Sequence, residues 1–245
     1  MEIIKVNNYE EMSKTAADYI SRKVRQFPEV TLGLATGSTP VGTYKRLIED
    51  HRDNGTSYKK VTTFNLDEYI GLSGENPQSY RYFMNTQLFN HLDIHKENTF
   101  VPSGTAEDLD AECRSYENKL KNHGGIDIQI LGIGNNGHIG FNEPGTSFSS
   151  KTHIVDLAQS TIEANARFFN HIKEVPTRAI TMGISTIMQS REILLLASGE
   201  AKAGAIQQLL GNGVNEHFPA SILRNHPNVK IIADEAALSA SEVRI

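Results

Sequence analysis

The sequence predicts an α/β fold built on one doubly wound, mostly parallel sheet with helices on both faces. Short apolar runs typical of strands alternate with amphipathic helical segments along the chain. The 245 residues suit one large domain of this class, and no linker, composition break or internal repeat divides them. Because strand–helix alternation requires right-handed crossovers, we expect residues 1–245 to form a single Rossmann-like domain.

The first half of the chain predicts a helix followed by two strand–helix units. Asn8 and Glu11 have the spacing of a capping box, and apolar residues recur on one face of the segment that follows. β-Branched and aromatic residues mark the second strand. The predicted elements after the first helix are a strand at 30–35, a helix at 41–49, a strand at 61–65 and a helix at 79–89.

The second half continues the alternation. Leu109, Cys113, Tyr116 and Leu120 are spaced four, three and four residues apart, which is the pattern of an amphipathic helix. The next apolar run is the strongest buried-strand signal in the chain. The predicted elements are helices at 106–122, 161–169 and 201–210 and strands at 126–133, 179–183, 192–197 and 229–233.

Composition and charge exclude several classes of protein. The 24 basic and 29 acidic side chains give a net charge of −5, and no basic block is longer than a pair, so the footprint of a nucleic-acid binder is missing. No apolar segment is long enough for a signal peptide or a membrane span. The lone Cys113 permits no intramolecular disulfide. We therefore expect a cytoplasmic protein that binds neither nucleic acid nor membrane.

The loops that follow the predicted strands carry the polar residues. In open parallel sheets, ligands bind beyond the carboxyl ends of the strands, so the loops after residues 35, 65, 133 and 197 should converge on one crevice. The first of these loops offers N–H groups, hydroxyls and a helix dipole to an anion. Lys202, in a first helical turn after another strand, is a candidate phosphate partner. The alternative for the first loop is a plain Gly-Pro turn, and the alternative for Lys202 is an ordinary solvated lysine. The residues of the first loop are Thr36, Gly37, Ser38 and Thr39.

A glycine-rich stretch matches a dinucleotide-binding fingerprint literally. Gly132, Gly134 and Gly137 have the required spacing after a strand, and Asp156 follows about twenty residues later. The sequence between Gly137 and Asp156 is, however, too rich in Gly, Pro and Ser for the crossover helix that such a unit requires. Histidine spacings match no metal motif. We therefore expect neither a nucleotide cofactor nor a metal.

Two pairs of residues on these loops suit proton transfer. Histidine is the side chain that ordinarily changes charge near neutral pH, and His138 lies five residues from Glu143, whose carboxylate can fix the imidazole tautomer. Asp67 and Glu68 end a buried strand, where burial and like charge raise one pKa and produce a proton acceptor. The alternative for His138 is a loop histidine that bonds a backbone carbonyl. The alternative for Asp67 and Glu68 is capping of a helix by their carboxylates.

Three motifs in order resemble those of the glucosamine-6-phosphate deaminase family. They are Ala-Thr-Gly-Ser-Thr-Pro at 35–40, Phe-Asn-Leu-Asp-Glu-Tyr at 64–69, and Leu-Gly-Ile-Gly-Asn-Asn-Gly-His-Ile-Gly-Phe-Asn-Glu-Pro at 131–144. The resemblance runs over nearly the whole chain. The same fold serves 6-phosphogluconolactonase, but that family is not expected to pair the second motif with the third.

The resemblance implies deamination of glucosamine 6-phosphate to fructose 6-phosphate and ammonia, in amino-sugar catabolism and without a cofactor. It makes Asp67 the base that moves a proton from C2 to C1, and His138 the acid/base that opens the sugar ring. It implies that Glu143 and Asn136 orient the histidine, although some members carry Asp at the latter position. The residues it implies for the 6-phosphate are Thr36, Gly37, Ser38, Thr39, Arg167 and Lys202.

Two further functional readings stay open on the sequence. One is a 6-phosphogluconolactonase-like hydrolase, and the other is a non-catalytic sugar-phosphate sensor.

Regulation is expected to differ from that of larger, allosterically activated members of the family, which bind N-acetylglucosamine 6-phosphate through a basic cluster. Here the matching stretch, Lys151 to Val155, offers His153 and a valine in place of fixed cations, and the chain stops at Ile245. We expect no response to that effector; the sequence leaves open whether the protein forms a homo-oligomer.

Overall fold

The computed structural model describes residues 1–166, 169, 171–211 and 213–241. Its elements follow one another in an alternating α/β pattern. In chain order they are β1 (Glu2–Val6), α1 (Tyr9–Gln26), β2 (Thr31–Leu34), α2 (Val41–Asn54), β3 (Thr62–Asn65), β4 (Asp67–Tyr69), α3 (Tyr80–Gln87), β5 (Thr99–Phe100), α4 (Leu109–Asn122), β6 (Ile128–Leu131), β7 (His153–Asp156), α5 (Gln159–Asn165), β8 (Arg178–Thr181), α6 (Ile184–Met188), β9 (Glu192–Ala197), α7 (Ala203–Leu210) and β10 (Val229–Asp234).

Seven parallel strands form the main sheet, in the order β1-β10-β9-β6-β2-β3-β5. Side chains alternate between two hydrophobic clusters, so that Leu195 belongs to one and Leu194 and Leu196 belong to the other. Helices α1 and α2 contribute to the second cluster, and α4 and α7 contribute to the first. The predicted fold, a mostly parallel sheet with helices on both faces, is therefore confirmed.

The strand order places the chain reversal between β2 and β6. The chain moves outward from β2 through β3 to β5 at one edge, then crosses over to β6 on the other side of β2. Loops at such a switch point form the crevice in which open parallel sheets bind ligands. The loop after β2 contains residues 36–40, and the loop after β6 begins at Gly132. Two of the four polar loops therefore meet at this point.

A second, three-stranded sheet was not predicted. It has the order β4-β8-β7 and is antiparallel. The chain passes between the sheets at Leu66, whose N–H donates to Leu34 O at 3.0 Å while its carbonyl accepts from Met182 N at 2.6 Å. The predicted strand at 179–183 proves to be β8 of this sheet. With Asp-Glu-Tyr as its whole length, β4 is too short and too polar to show a strand periodicity.

Most predicted boundaries are correct to within a few residues. Asn8 caps α1 by accepting from Glu11 N at 3.0 Å, as the capping-box spacing predicts. The helix predicted from residue 106 begins at Leu109, because Asp108 accepts from Ala111 N at 2.8 Å and so caps it there. Helix α5 ends at Asn165 rather than 169. None of the helices in the described ranges combines the length and apolar character needed to cross a membrane.

Candidate active site

The loop after β2 forms an open cleft at the amino terminus of α2. Gly37 adopts φ +88°, which favours glycine. Tyr9 braces the loop, since its hydroxyl donates to Ser38 O at 3.0 Å and accepts from Gly42 N at 2.8 Å. The N-cap residue of α2, Pro40, makes no side-chain capping hydrogen bond. A cleft of about 380 Å³ opens here, lined by Tyr9, Ser38, Thr39, Val41 and Ser198. The hydroxyls and helix terminus suit a phosphate group.

Lys202 reaches the same crevice from the loop after β9. It lies in a 3₁₀ turn, Glu200–Lys202, directly before α7, rather than in the first α-helical turn that the sequence predicts. Its ammonium donates to Asn135 Oδ1 at 3.0 Å and so joins the loops after β9 and β6. The buried carboxylate of Asp234 holds the turn by accepting from Gly199 N at 3.0 Å. The other predicted phosphate-binding cation, Arg167, lies outside the described residues.

The glycine-rich loop after β6 presents His138 against its own backbone. Gly134 N donates to His138 O at 2.9 Å, and Gly137 N donates to Gly134 O at 3.0 Å. The imidazole packs on Gly134 so closely that a β-carbon there would lie 2.3–2.5 Å from ring atoms. Residues 138–150 contain turns and an isolated bridge but no helix. The loop therefore lacks the crossover helix of a dinucleotide-binding unit.

Glu143 lies beside the imidazole of His138. Glu143 Oε2 lies 3.6 Å from His138 Nδ1 and accepts from Asn136 Nδ2 at 2.8 Å. Its other oxygen, Oε1, accepts from the Thr161 hydroxyl at 2.6 Å. Burial raises the pKa of Glu143, but these hydrogen bonds and the charge of His138 outweigh it and lower the pKa to about 2. Glu143 is thus ionised and able to stabilise an imidazolium.

Asp67 is a buried carboxyl group beside this loop. It begins β4, is 6% exposed, and lies with Oδ2 3.5 Å from where a β-carbon on Gly140 would be. Burial, with a smaller contribution from the charge of Glu68, raises the pKa of Asp67 to about 8. Its carboxylate receives no hydrogen bond from the part of the chain that the structure describes. A carboxyl group with these properties is suited to accept a proton near neutral pH.

Glu68 has a different role from its neighbour. Its carboxylate accepts three backbone hydrogen bonds, from Tyr69 N at 2.8 Å, Tyr80 N at 2.9 Å and Arg81 N at 2.9 Å. It therefore caps the amino terminus of α3, as the alternative interpretation of the paired carboxylates predicts. Burial raises the pKa of Glu68, while the three N–H groups act against the increase. With both oxygens bonded, Glu68 is less suited than Asp67 to remove a proton.

The site therefore contains the cleft at the start of α2, the buried carboxyl group of Asp67 and the pair of His138 and Glu143. The structure places all described candidates at the carboxyl end of the main sheet or directly beside it. Sequence reasoning missed Thr161, on helix α5, and Asn135, because no spacing rule connects residues on separate segments of the chain. The described residues contain no cluster of three or more His, Cys, Asp or Glu side chains that could hold a metal ion. The arrangement can move protons on a phosphorylated substrate.

Comparison with known proteins identifies the family. The family model described as glucosamine-6-phosphate isomerases/6-phosphogluconolactonase matches residues 7–232. The chain belongs to this family. Family relatives named glucosamine-6-phosphate deaminase include one from Geobacillus sp. (strain WCH70), 60% identical over 98% of this chain and 95% of its own length. Another, from Clostridium perfringens (strain 13 / Type A), is 52% identical over 97% of this chain and 98% of its own length.

Solved structures in the glucosamine-6-phosphate isomerase/6-phosphogluconolactonase family confirm the fold. A monomeric glucosamine-6-phosphate deaminase superposes with a TM-score of 0.96 at 49% identity, over 98% of this chain and 100% of that one. A 6-phosphogluconolactonase from Trypanosoma brucei superposes with a TM-score of 0.79 at 20% identity, over 98% of both chains. The second likeness shows only the fold. The resemblance stated from the three sequence motifs is therefore confirmed.

Proposed function

We propose that this chain is an enzyme that converts glucosamine 6-phosphate and water to fructose 6-phosphate and ammonia. Relatives bearing the name of that activity are 52–60% identical over nearly its full length. The observation that carries the mechanism is the buried Asp67 carboxyl group, with its pKa near 8, next to the loop of His138. An isomerisation needs a base that removes a proton from carbon. Asp67 can act as this base, beside the cleft at the start of α2.

The first step of the proposed mechanism is binding of the phosphate group. The loop of Thr36, Gly37, Ser38 and Thr39 supplies backbone N–H groups and hydroxyls at the amino terminus of α2. Lys202 adds a cation on the facing loop, at the end of a turn held by Asp234. Arg167 is proposed as a second cation on the basis of sequence alone. Binding at this end places the sugar carbons towards the loop after β6.

Ring opening is assigned to His138. The closed pyranose carries a proton on the anomeric hydroxyl, and the ring oxygen must gain one when its bond to C1 breaks. The imidazole takes the first proton and gives one to the ring oxygen, which yields an aldehyde at C1. The ionised Glu143 carboxylate, 3.6 Å from His138 Nδ1, stabilises the imidazolium formed between these transfers. Asn136 fixes the carboxylate by donating to Oε2.

Isomerisation and deamination are assigned to Asp67. Its carboxylate removes the C2 proton, and the electron pair of that bond forms a C1=C2 double bond as the C1 carbonyl opens. The carbonyl oxygen takes a proton from the ammonium group of the substrate, which gives an enolamine. The same carboxyl group returns the proton to C1, which leaves an iminium at C2. Water adds to this carbon, ammonia leaves, and fructose 6-phosphate remains. The ammonium group of the bound substrate favours the charged form of Asp67, so the base is ionised when it is needed.

One assay distinguishes this function from its rivals. Purified protein is incubated with glucosamine 6-phosphate, and both ammonia and fructose 6-phosphate are measured. The expected result is equal amounts of both products, with no added metal or cofactor. Hydrolysis of 6-phosphogluconolactone, together with no release of ammonia from glucosamine 6-phosphate, would replace this proposal by a lactonase, in which Asp67 has no carbon-bound proton to remove. Binding of the sugar phosphate without turnover would identify a sensor.

A further inference from the structure

Thr161 donates a hydrogen bond from helix α5 to the carboxylate of Glu143. Its hydroxyl lies 2.6 Å from Glu143 Oε1, and its side chain is buried with 7% exposure. This oxygen of Glu143 is not the one that faces His138. Oε2 is the atom that lies 3.6 Å from His138 Nδ1 and also accepts from Asn136. One carboxylate oxygen therefore bonds Thr161, and the other faces His138.

The geometry fixes the plane of the Glu143 carboxylate. A glutamate carboxylate rotates broadly about its last torsion unless both oxygens are bonded. Asn136 holds Oε2 and Thr161 holds Oε1, so loss of the Thr161 bond leaves Glu143 attached on one side only. The Thr161 bond also lowers the pKa of Glu143, consistent with a donor directed at the charged form. Removing it weakens both the orientation and the ionisation of Glu143.

Within the part of α5 that the structure describes, the hydroxyl of Thr161 makes no hydrogen bond. Threonines near helix starts usually bond backbone groups of the same turn. Here the bond joins α5 to a residue 18 positions earlier in the chain. The amino-terminal cap of α5, Ala158, has no side chain able to accept a hydrogen bond. The polar group is therefore directed at Glu143 and not at the start of its own helix.

We propose that Thr161 is a positioning residue for ring opening, which holds Glu143 so that its second oxygen stays directed at His138. The inference rests on the proposed function, since it assigns Thr161 to one of its steps. Thr161 touches no reacting atom in this proposal and acts only through Glu143. Its loss should therefore slow the step carried out by His138 and spare the step carried out by Asp67.

The test compares a ring-closed and an open-chain substrate. Thr161→Val keeps the shape of the side chain and removes the donor, whereas Thr161→Ser keeps the donor. The closed substrate is glucosamine 6-phosphate, and the open one is its analogue without the 4- and 5-hydroxyl groups, which cannot close a ring. We expect Thr161→Val to lower kcat on the closed substrate about 10-fold, with KM within about twofold, as for loss of one charge-assisted hydrogen bond.

On the open analogue, Thr161→Val should match wild type, and Thr161→Ser should restore most of the lost turnover on the closed substrate. His138→Gln should show the same selectivity for the open analogue, because it removes the group on which Thr161 acts. Equal losses of Thr161→Val on both substrates, or no loss on either, would overturn the positioning role. Either result would leave the proposed deamination standing, since it requires only that wild type release ammonia.

A matched control is available on helix α6. Thr186 donates to Glu117 Oε1 at 2.7 Å and is also 7% exposed, so Thr186→Val removes a bond of the same kind from a buried threonine. That bond involves neither His138 nor Glu143. Thr186→Val should therefore leave the ratio of closed to open turnover unchanged. A change in this ratio equal to that of Thr161→Val would assign both effects to general loosening of the fold and overturn the proposal.

A measurement without turnover separates this inference from the proposed function. Carbon-13 NMR of labelled glutamate carboxylates follows the titration of Glu143 directly. In Thr161→Val its pKa should rise by about one unit, because a donor to the charged form is lost. An unchanged titration would overturn the inference. If wild type released no ammonia from either substrate, the proposed function would fail, and this titration would still decide whether Thr161 holds the carboxylate.

Discussion

The imidazole of His138 packs on the backbone of Gly134, where a β-carbon would lie 2.3 Å from ring atom Cε1. The contact is possible only because residue 134 has no side chain. It determines where the ring stands relative to Glu143, whose Oε2 atom is 3.6 Å from His138 Nδ1. Glycine at this position thus leaves room for the imidazole of His138. This contact leads to the first prediction.

Gly134→Ala should lower turnover about 10²-fold, because the added methyl group displaces His138 from its place beside Glu143. The measurement is kcat for ammonia release, with the folded state checked by thermal unfolding. Gly204→Ala is the matched control, since a β-carbon there meets no atom within 4 Å. Normal turnover of Gly134→Ala would show that His138 tolerates a different position and would weaken its assigned role.

Asp67→Asn should retain substrate binding and lower kcat by about 10²-fold or more, because an amide cannot accept the C2 proton. Exchange of solvent deuterium into C1 of the product should disappear together with turnover. The measurement is mass spectrometry of the fructose 6-phosphate formed in deuterated water. Normal exchange in this variant would place the base elsewhere, and Glu68 would then have to leave its cap on α3 to act.

The sequence predicts the parts of the site that depend on neighbouring residues, and it does not predict contacts between residues far apart in the chain. Strand ends and the turn at residues 36–40 follow from local patterns, so the convergence of the polar loops is predictable. The sequence favours Asp67 as the base, but the cap that Glu68 forms on α3 is not evident locally, because only the folded chain brings the N–H groups of Tyr80 and Arg81 to Glu68. The bond from Thr161 to Glu143 is likewise absent from any sequence motif.

Lys202→Ala should raise KM for glucosamine 6-phosphate at least about 10-fold with little change in kcat. One charge-assisted contact contributes about 1.5–3 kcal/mol, and about 1.4 kcal/mol is a factor of ten. Arg167→Ala is expected to behave in the same way. Lys60→Ala is the control, since that lysine is exposed and pairs with Glu29 at 3.1 Å. Unchanged KM and unchanged inhibition by inorganic phosphate would remove Lys202 from the phosphate site.

Kinetics should be hyperbolic and insensitive to N-acetylglucosamine 6-phosphate. The stretch that matches the effector site of allosteric family members holds His153 and Val155 on β7, and only Lys151 brings a fixed positive charge. Histidine is largely neutral at pH 7 and valine cannot bind phosphate. Initial rates measured with and without the effector check this. A sigmoidal curve that the effector converts to a hyperbola would contradict it.

Asp67→Asn should also stabilise the protein at alkaline pH, although it removes activity. The pKa of Asp67 is about 8 in the folded state, against an ordinary value of 3.8. Between these values the folded chain holds a proton that the unfolded chain has lost, so the free energy of unfolding falls as pH rises from about 4 to about 8. Asparagine cannot ionise, and the variant escapes this loss.

The expected gain at pH 8 is at least about 2 kcal/mol, since one pKa unit corresponds to about 1.4 kcal/mol. This gain raises the unfolding temperature by about 4–8 °C for a chain of this size. At pH 4 the two proteins should unfold at nearly the same temperature, because Asp67 is then protonated in the folded state.

Asp18→Asn is the control. The carboxylate of Asp18 is exposed and pairs with Lys14 at 3.0 Å, so its loss should change stability little at either pH. A variant less stable than wild type at pH 8 would mean that burial does not raise the pKa of Asp67 in the folded protein.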